Sequence, residues 1–212
     1  MLASFRPSQY ALRGEFERAF ALCSQAVEIC QARTVPVWLA QSLSLRGLMR
    51  AWLGHPDEEA LGDLERGLGL FEQFGIESHR ATFLSRRAEG LLLGGRIEEA
   101  HASARQALDL AQRLGEKGNE AQARALLGDI ASAGAEPREA LGSYREALAA
   151  CEALGLRPTG ARCHLGLGKI HRRLGEAEPA RPHLETAARL FGEMRMRFWQ
   201  ERAEAARNTH PS

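Results

Sequence analysis

Small and apolar residues recur along the chain with a period of 40 or 41 positions. Each repeat contains a marker alanine, a second small residue seven positions later and an apolar residue eleven positions later. These offsets correspond to whole turns of an α-helix, so the three positions share one helix face. Small residues on that face allow a neighbouring helix to approach closely. The markers are Ala19, Ala60, Ala100, Ala140 and Ala180.

Glycines separate the helices that this pattern predicts. One glycine lies before each marker alanine, and another recurs 40 positions apart at the end of the second helix. Glycine readily adopts the left-handed conformation that ends a helix. We therefore predict a first helix (A), a turn and a second helix (B) in every repeat, with Pro182 delaying or bending the last B helix. The two sets are Gly14, Gly54, Gly95, Gly134 and Gly175, and Gly75, Gly115 and Gly155.

Composition supports an all-α fold. The 212 residues include 35 alanines and 30 leucines, but only eight valines and isoleucines together, and aromatic residues make up 6%. Helix formers dominate, whereas the β-branched residues that favour strands are scarce. The sequence predicts five antiparallel helix pairs followed by a C-terminal capping helix in which Phe198 and Trp199 fold onto the last repeat.

The fourth and fifth repeats resemble tetratricopeptide repeats. In the fifth, Leu167-Gly168, His171, Gly175, Ala180, Leu184 and Ala187 follow the spacing of that family, and in the fourth Leu127-Gly128, Ala140, Tyr144 and Ala147 do so. The period exceeds the usual value of about 34 residues, as in the arrays of large bacterial signalling ATPases and LuxR-type activators. The resemblance implies a right-handed α-solenoid that binds proteins or peptides.

The repeat boundaries predict one continuous solenoid domain. The short first repeat suggests either a degenerate N-terminal cap or a piece of a longer protein. The predicted repeats span 1–34, 35–75, 76–115, 116–155 and 156–194, with a cap at 195–207 and a disordered tail at 208–212.

Charge and motifs favour a scaffold without catalytic chemistry. The 28 basic and 27 acidic residues nearly balance, so no bulk field attracts nucleic acid or membranes. No apolar run reaches the ~18 residues of a membrane span, and neither metal-binding spacing nor a phosphate loop occurs. We interpret His171, Cys30 and Cys151 as packing residues. We predict no enzyme activity, no cofactor and a cytoplasmic location.

The resemblance implies that A helices line a concave, ligand-binding face. Carried onto this chain, it predicts a basic cluster in the fifth repeat that receives an acidic peptide or carboxylate. A solvated helix face is the alternative interpretation. The predicted residues are Arg162, Leu165, Lys169, Arg172 and Arg173 in the fifth repeat, Gln122, Ala125, Asp129 and Ser132 in the fourth, and Thr82, Ser85, Glu89 and Leu92 in the third.

Three functions remain open at this point. The leading hypothesis is a protein or peptide interaction scaffold, such as the sensor or regulatory segment of a larger bacterial signalling or transcription-regulating protein. A self-association module is the second, in which chains form homo-oligomers. The third is an arginine-mediated nucleic-acid binder, which the near-zero net charge disfavours.

Overall fold

The computed structural model describes residues 5–75, 77 and 79–208, with the exception of the Phe5 side chain. These residues form eleven helices and no strand. The prediction of an all-α fold with five helix pairs and one further helix is confirmed. The helices are α1 Phe5–Arg13, α2 Phe16–Arg33, α3 Pro36–Trp52, α4 Glu58–Gln73, α5 Arg80–Leu93, α6 Ile97–Arg113, α7 Lys117–Ala133, α8 Pro137–Leu154, α9 Arg157–Arg173, α10 Ala177–Glu193 and α11 Arg197–Asn208.

The chain divides into two compact units. The N-terminal unit spans Met1–Leu110 and the C-terminal unit spans Ala111–Ser212, so that α6 crosses the boundary. The single continuous domain and the repeat boundaries stay predictions. The expected tail beyond α11 lies outside the described residues, whereas Asn208 itself ends α11.

Both units use the same packing scheme. In the N-terminal unit, consecutive helices from α1 to α5 pack on one another, and α3 also contacts both α1 and α5. In the C-terminal unit, consecutive helices from α7 to α11 pack on one another, and α9 also contacts both α7 and α11. Within each unit the A helices therefore adjoin one another, which is the arrangement of a helical-repeat array.

The predicted small positions lie at the helix contacts. The marker alanines are buried, from 0% to 2% exposed, because neighbouring helices leave no room for a larger side chain. Tyr144 and Leu184, at the aromatic position of the fourth and fifth repeats, are also buried. Trp199 is buried and its ring centroid lies 6.2 Å from that of Phe191, so α11 covers the end of the fifth repeat as expected.

Two local predictions need correction. Gly134 is not left-handed: its φ is −74°, and Ala135 takes the left-handed position with φ 62°. The other glycines of both sets have positive φ. The last B helix is not delayed by Pro182, because α10 begins at Ala177 and continues through the proline.

Candidate functional site

The charged end of α9 is held by contacts to neighbouring helices. His171, Arg172 and Arg173 occupy its last turn, where cations stabilise the negative end of the helix dipole. Arg172 donates a hydrogen bond to the carbonyl oxygen of Ala206 in α11. Arg173 donates to the carbonyl oxygen of Ser132 at 2.6 Å and to its hydroxyl at 3.3 Å. Two of the predicted ligand-binding arginines therefore join α9 to α11 and α7.

Asp129 of α7 connects three helices. Its carboxylate accepts a hydrogen bond from the hydroxyl of Tyr144 at 2.6 Å and pairs with Arg162 at 3.0 Å. Burial and the Asp129 charge raise the pKa of Tyr144, so this phenol stays a proton donor. The guanidinium of Arg162 also lies 5.2 Å from the ring centroid of Trp199. Asp129 and Arg162 neutralise one another within the fold.

Lys169, unlike Arg162, forms no ion pair with a carboxylate of the described residues. Its side chain is exposed, yet enough protein surrounds the ammonium group that loss of hydration lowers its pKa. The positive charge of Arg202 in α11 lowers that pKa further, whereas Asp129 opposes the shift. Arg202 stacks on Phe198, with 4.5 Å between the guanidinium carbon and the ring centroid. Lys169 is therefore an accessible cation in an electropositive surface.

Sequence reasoning missed the contribution of α11 to this surface. Arg202 lies 40 positions after Arg162, and Arg195, with φ 55°, lies 40 positions after the left-handed Gly155. The helix called a cap is thus a sixth A helix in register with the repeat. Extending the period by one repeat is the signal that identifies Arg202.

The remaining predicted residues differ in accessibility. Leu165 and Ala125 are buried, so their side chains do not form part of an exposed face. Gln122 is exposed on α7, and Glu89 is half-buried on α5. Thr82, Ser85, Leu92 and Ser132 are half-buried as well. In the N-terminal unit, Arg86 of α5 is half-buried. The sequence did not indicate it as a candidate site residue.

The histidines and cysteines lie between helices. His171 is buried and its Nδ1 lies 2.5 Å from the carboxylate of Glu176, in agreement with its predicted packing role. The Nδ1 atoms of His164 and His183 are 2.8 Å apart. All four cysteines are buried and none forms a disulfide. In the part of the chain that is described, no group of three or more histidine, cysteine and carboxylate side chains is arranged to hold a metal ion.

These features define the fold class: the described residues form a helical-repeat array similar in fold to tetratricopeptide repeat proteins. No protein-family model matches its sequence, and no curated protein matches it significantly. The helices of the described residues include none that is long and apolar enough to cross a membrane.

Solved structures with the same fold include two complexes. A Rap protein complexed with Competence and Sporulation Factor has a TM-score of 0.83 at 16% identity, covering 95% of this chain and 56% of that one. Bacillus thuringiensis PlcR in complex with the peptide PapR7 and DNA has a TM-score of 0.83 at 14% identity, with 98% and 73% covered.

A third similar structure belongs to a multidomain regulator. It is a signal transduction ATPase with numerous domains from Pyrococcus horikoshii that carries a tetratricopeptide repeat sensor, and it matches with a TM-score of 0.67 at 20% identity. The match covers 92% of this chain but 30% of that protein. This chain therefore spans about a third of the ATPase and, as given above, little more than half of the Rap protein.

Proposed function

We propose that the protein is a non-catalytic, cytoplasmic interaction scaffold that binds an acidic peptide segment on the A-helix face of its C-terminal unit. Lys169 carries this proposal, because its ammonium group is accessible, partly dehydrated and not paired with a carboxylate of the described residues. Arg202 places a second positive charge near it. An acidic ligand relieves this repulsion and gains charge-assisted hydrogen bonds.

The similar structures support a peptide as the ligand. Rap and PlcR carry a bound peptide factor in their respective complexes. The sensor of the Pyrococcus ATPase supports a further proposal, that this chain serves as the sensor or regulatory segment of a larger signalling or transcription-regulating protein.

Selection from a random peptide library displayed on phage tests the proposal. We expect wild-type protein to enrich peptides with aspartate or glutamate, and we expect Lys169→Gln to lose that enrichment. Arg173→Gln is the matched control, because Arg173 is already bonded to Ser132 and its loss should leave selection unchanged. Affinity of the selected peptides should fall between 50 and 300 mM salt, as for any exposed charge contact. Enrichment that lacks acidic residues, or that survives Lys169→Gln, contradicts the proposal.

Self-association remains a second candidate because the N-terminal unit exposes large apolar residues. Ile29, near the end of α2, is 53% exposed, and Trp38, near the start of α3, is 43% exposed. Sedimentation velocity over a hundredfold concentration range tests this hypothesis, and Trp38→Gln should reduce any dimer. Nucleic-acid binding, the least favoured function, predicts that a duplex DNA probe binds with a steep salt dependence.

A further inference from the structure

Arg86 places a charge where the repeat otherwise has an apolar or small residue. The equivalent positions are Leu45, Leu126 and Gly166, and all three are buried. Arg86 itself is half-buried, and its guanidinium lies deep enough among protein atoms that loss of hydration lowers its pKa. Placing a cation at such a position is unfavourable unless an anion or several acceptors compensate it.

The contacts of Arg86 within the fold are few. One nitrogen, Nη1, donates to the side-chain oxygen of Gln41 in α3 at a long 3.3 Å. The guanidinium carbon lies 5.6 Å from the ring centroid of Phe83. Cys23 and Glu89 act on Arg86 through longer-range charge interactions, and no carboxylate of the described residues forms an ion pair with it. A guanidinium has five N–H donors, so most of its donors have no acceptor among the described residues.

Arg46 of the same unit shows what a compensated arginine looks like. It donates to both carboxylate oxygens of Asp63, at 2.5 and 2.7 Å. This bidentate geometry satisfies a guanidinium and its charge together. Arg86 has the same chemistry without such a carboxylate from the described chain.

Two hydroxyl groups on the helices that carry Arg86 and Gln41 are also unsatisfied. The Oγ atoms of Ser85 in α5 and Ser44 in α3 are buried and have no hydrogen-bond partner among the described residues. Ser85 precedes Arg86, and Ser44 lies one helical turn after Gln41. Ala125 and Leu165 occupy the equivalent positions of the C-terminal unit, where the A helices are apolar. The N-terminal unit therefore gathers unused hydrogen-bond donors on α3 and α5.

We propose that Arg86 is the anion contact of a carboxylate-binding site in the N-terminal unit, with Gln41 as its polar neighbour. The site takes the carboxylate of an acidic side chain or of a peptide C-terminus, because a carboxylate accepts bidentate hydrogen bonds from a guanidinium. The peptide nature of the ligand rests on the proposed function, whereas the carboxylate chemistry rests on Arg86 itself.

Thermal unfolding with glutarate tests the site, with uncharged glutaramide as the matched probe and ionic strength held constant. Both the wild type and Lys169→Gln are measured, so that the proposed Lys169 contact of the C-terminal unit is absent in the second case. At ten times its Kd, glutarate should raise the Tm by about 3–6 °C in both proteins, whereas glutaramide should not. An absent response to glutarate in both proteins overturns the inference.

Arg86→Leu, which introduces the residue of the equivalent Leu126 position, should abolish the response and raise the Tm without ligand. Arg86→Gln gives the same test with a polar replacement if the leucine variant does not fold. Arg87→Gln is the control, because Arg87 is paired with Glu65 at 3.7 Å and should keep the response. A glutarate response that survives Arg86→Gln, or an Arg86-dependent response to inorganic phosphate but not to glutarate, overturns the assignment.

The two proposals fail separately. If peptide selection proves independent of Lys169 while glutarate still stabilises the protein through Arg86, the proposed function falls and this site remains. If Arg86→Gln leaves the glutarate response unchanged while Lys169→Gln abolishes peptide selection, the Arg86 site is overturned and the proposed function remains.

Discussion

The two units use glycine differently where their helices approach most closely. In the N-terminal unit, a Cβ on Gly47 would lie 2.4 Å from the carbonyl oxygen of Ala60, so helix backbone meets helix. In the C-terminal unit, a Cβ on Gly128 would lie 2.7 Å from the ring of Tyr144, and one on Gly168 would lie 2.5 Å from Leu184. The same repeat position thus admits a backbone in one unit and a large side chain in the other.

The polar groups at these contacts differ accordingly. The atoms nearest to Gly47 belong to Ala60, Asp63 and Leu64 of α4, and Asp63 with Arg46 provides a largely buried ion pair. Between α7 and α8 the Tyr144 ring fills the space, and its hydroxyl reaches the more exposed Asp129. The shared repeat pattern therefore sets the spacing of the paired helices. The residue that packs against the glycine determines where the charged groups lie.

The largest expected effect comes from adding a methyl group at these glycines. Gly47→Ala forces two backbones apart and should destabilise the protein by about 3 kcal/mol, at the upper end for an overpacked core. Gly128→Ala meets a side chain and should cost about 2 kcal/mol. Denaturant unfolding measures both.

The comparison is sharpened by trimming the side chains. Tyr144→Ala should make a subsequent Gly128→Ala nearly neutral, because the ring is the group that the methyl meets. Leu64→Ala should not rescue Gly47→Ala, since the carbonyl oxygen of Ala60 stays in place. Gly118→Ala, with open space around it, serves as control. Equal rescue in both units contradicts the distinction drawn here.

The next effect concerns the two aspartates. Asp63→Asn leaves Arg46 with a neutral partner in a site where the two side chains are 21% and 6% exposed, and should cost about 2 kcal/mol. Asp129→Asn should cost less than about 1 kcal/mol, because Asp129 and Arg162 are each about a third exposed and the Tyr144 hydroxyl keeps an acceptor. Chemical denaturation of both variants provides the values, and a larger loss for Asp129→Asn would reverse the ranking of the two pairs.

Periodicity predicted most of the fold because burial at helix contacts repeats with the chain. The marker alanines, the left-handed glycines and the resemblance at Leu127-Gly128 and Tyr144 all describe local packing that each repeat performs in the same way. Gly134 was misassigned because Ala135 takes the left-handed position one residue later. The 40-residue spacing from Gly95 to Gly175 places this position at residue 135, so the period itself indicates the alanine.

The candidate site was harder to predict because charge compensation is a tertiary property. Arg172 occupies a helix position that indicated ligand contact, and Arg173 lies beside it. Their hydrogen bonds nevertheless go to Ala206 and Ser132. Their place in the last turn of α9 was the available sign of a structural role. Arg86, by contrast, has no carboxylate partner in the described part of the chain because of the groups that α3 and α5 bring near it, and no sequence spacing reveals that.

Acidic pH should destabilise the C-terminal unit through the histidine pair of α9 and α10. Burial lowers the pKa of His183 to about 4, and the nearby His164, His171 and Arg145 add to the shift. Burial and Arg189 also lower the pKa of His164. Because the unfolded chain binds these protons below about pH 6.5 and the folded chain does not, stability is present above that pH and is lost as the pH falls towards 4.

Between pH 7 and pH 5 we expect a loss of about 1 kcal/mol from His183, after discounting for its partial exposure. Thermal unfolding of His183→Leu should show a shallower pH dependence over this range. His55→Gln, at an exposed position of the N-terminal unit, is the control and should follow the wild type. Identical pH profiles for wild type and His183→Leu would remove the histidine pair as the cause.

The smallest expected effect concerns how the B helices begin. Asp57 caps α4, since its carboxylate accepts a hydrogen bond from the Ala60 amide at 3.0 Å, and hydrogen bonds from Arg50 hold its pKa at about 2. Glu136, at the same place before α8, makes no such cap. Asp57→Ala should therefore lower the Tm slightly, by less than Asp63→Asn does, whereas Glu136→Ala should leave it unchanged. Asp57→Asn distinguishes the cap from the ion pair, because asparagine keeps an acceptor for the Ala60 amide but loses the charge that faces Arg50. If Asp57→Asn is as unstable as Asp57→Ala, the arginine contact and not the cap stabilises the start of α4.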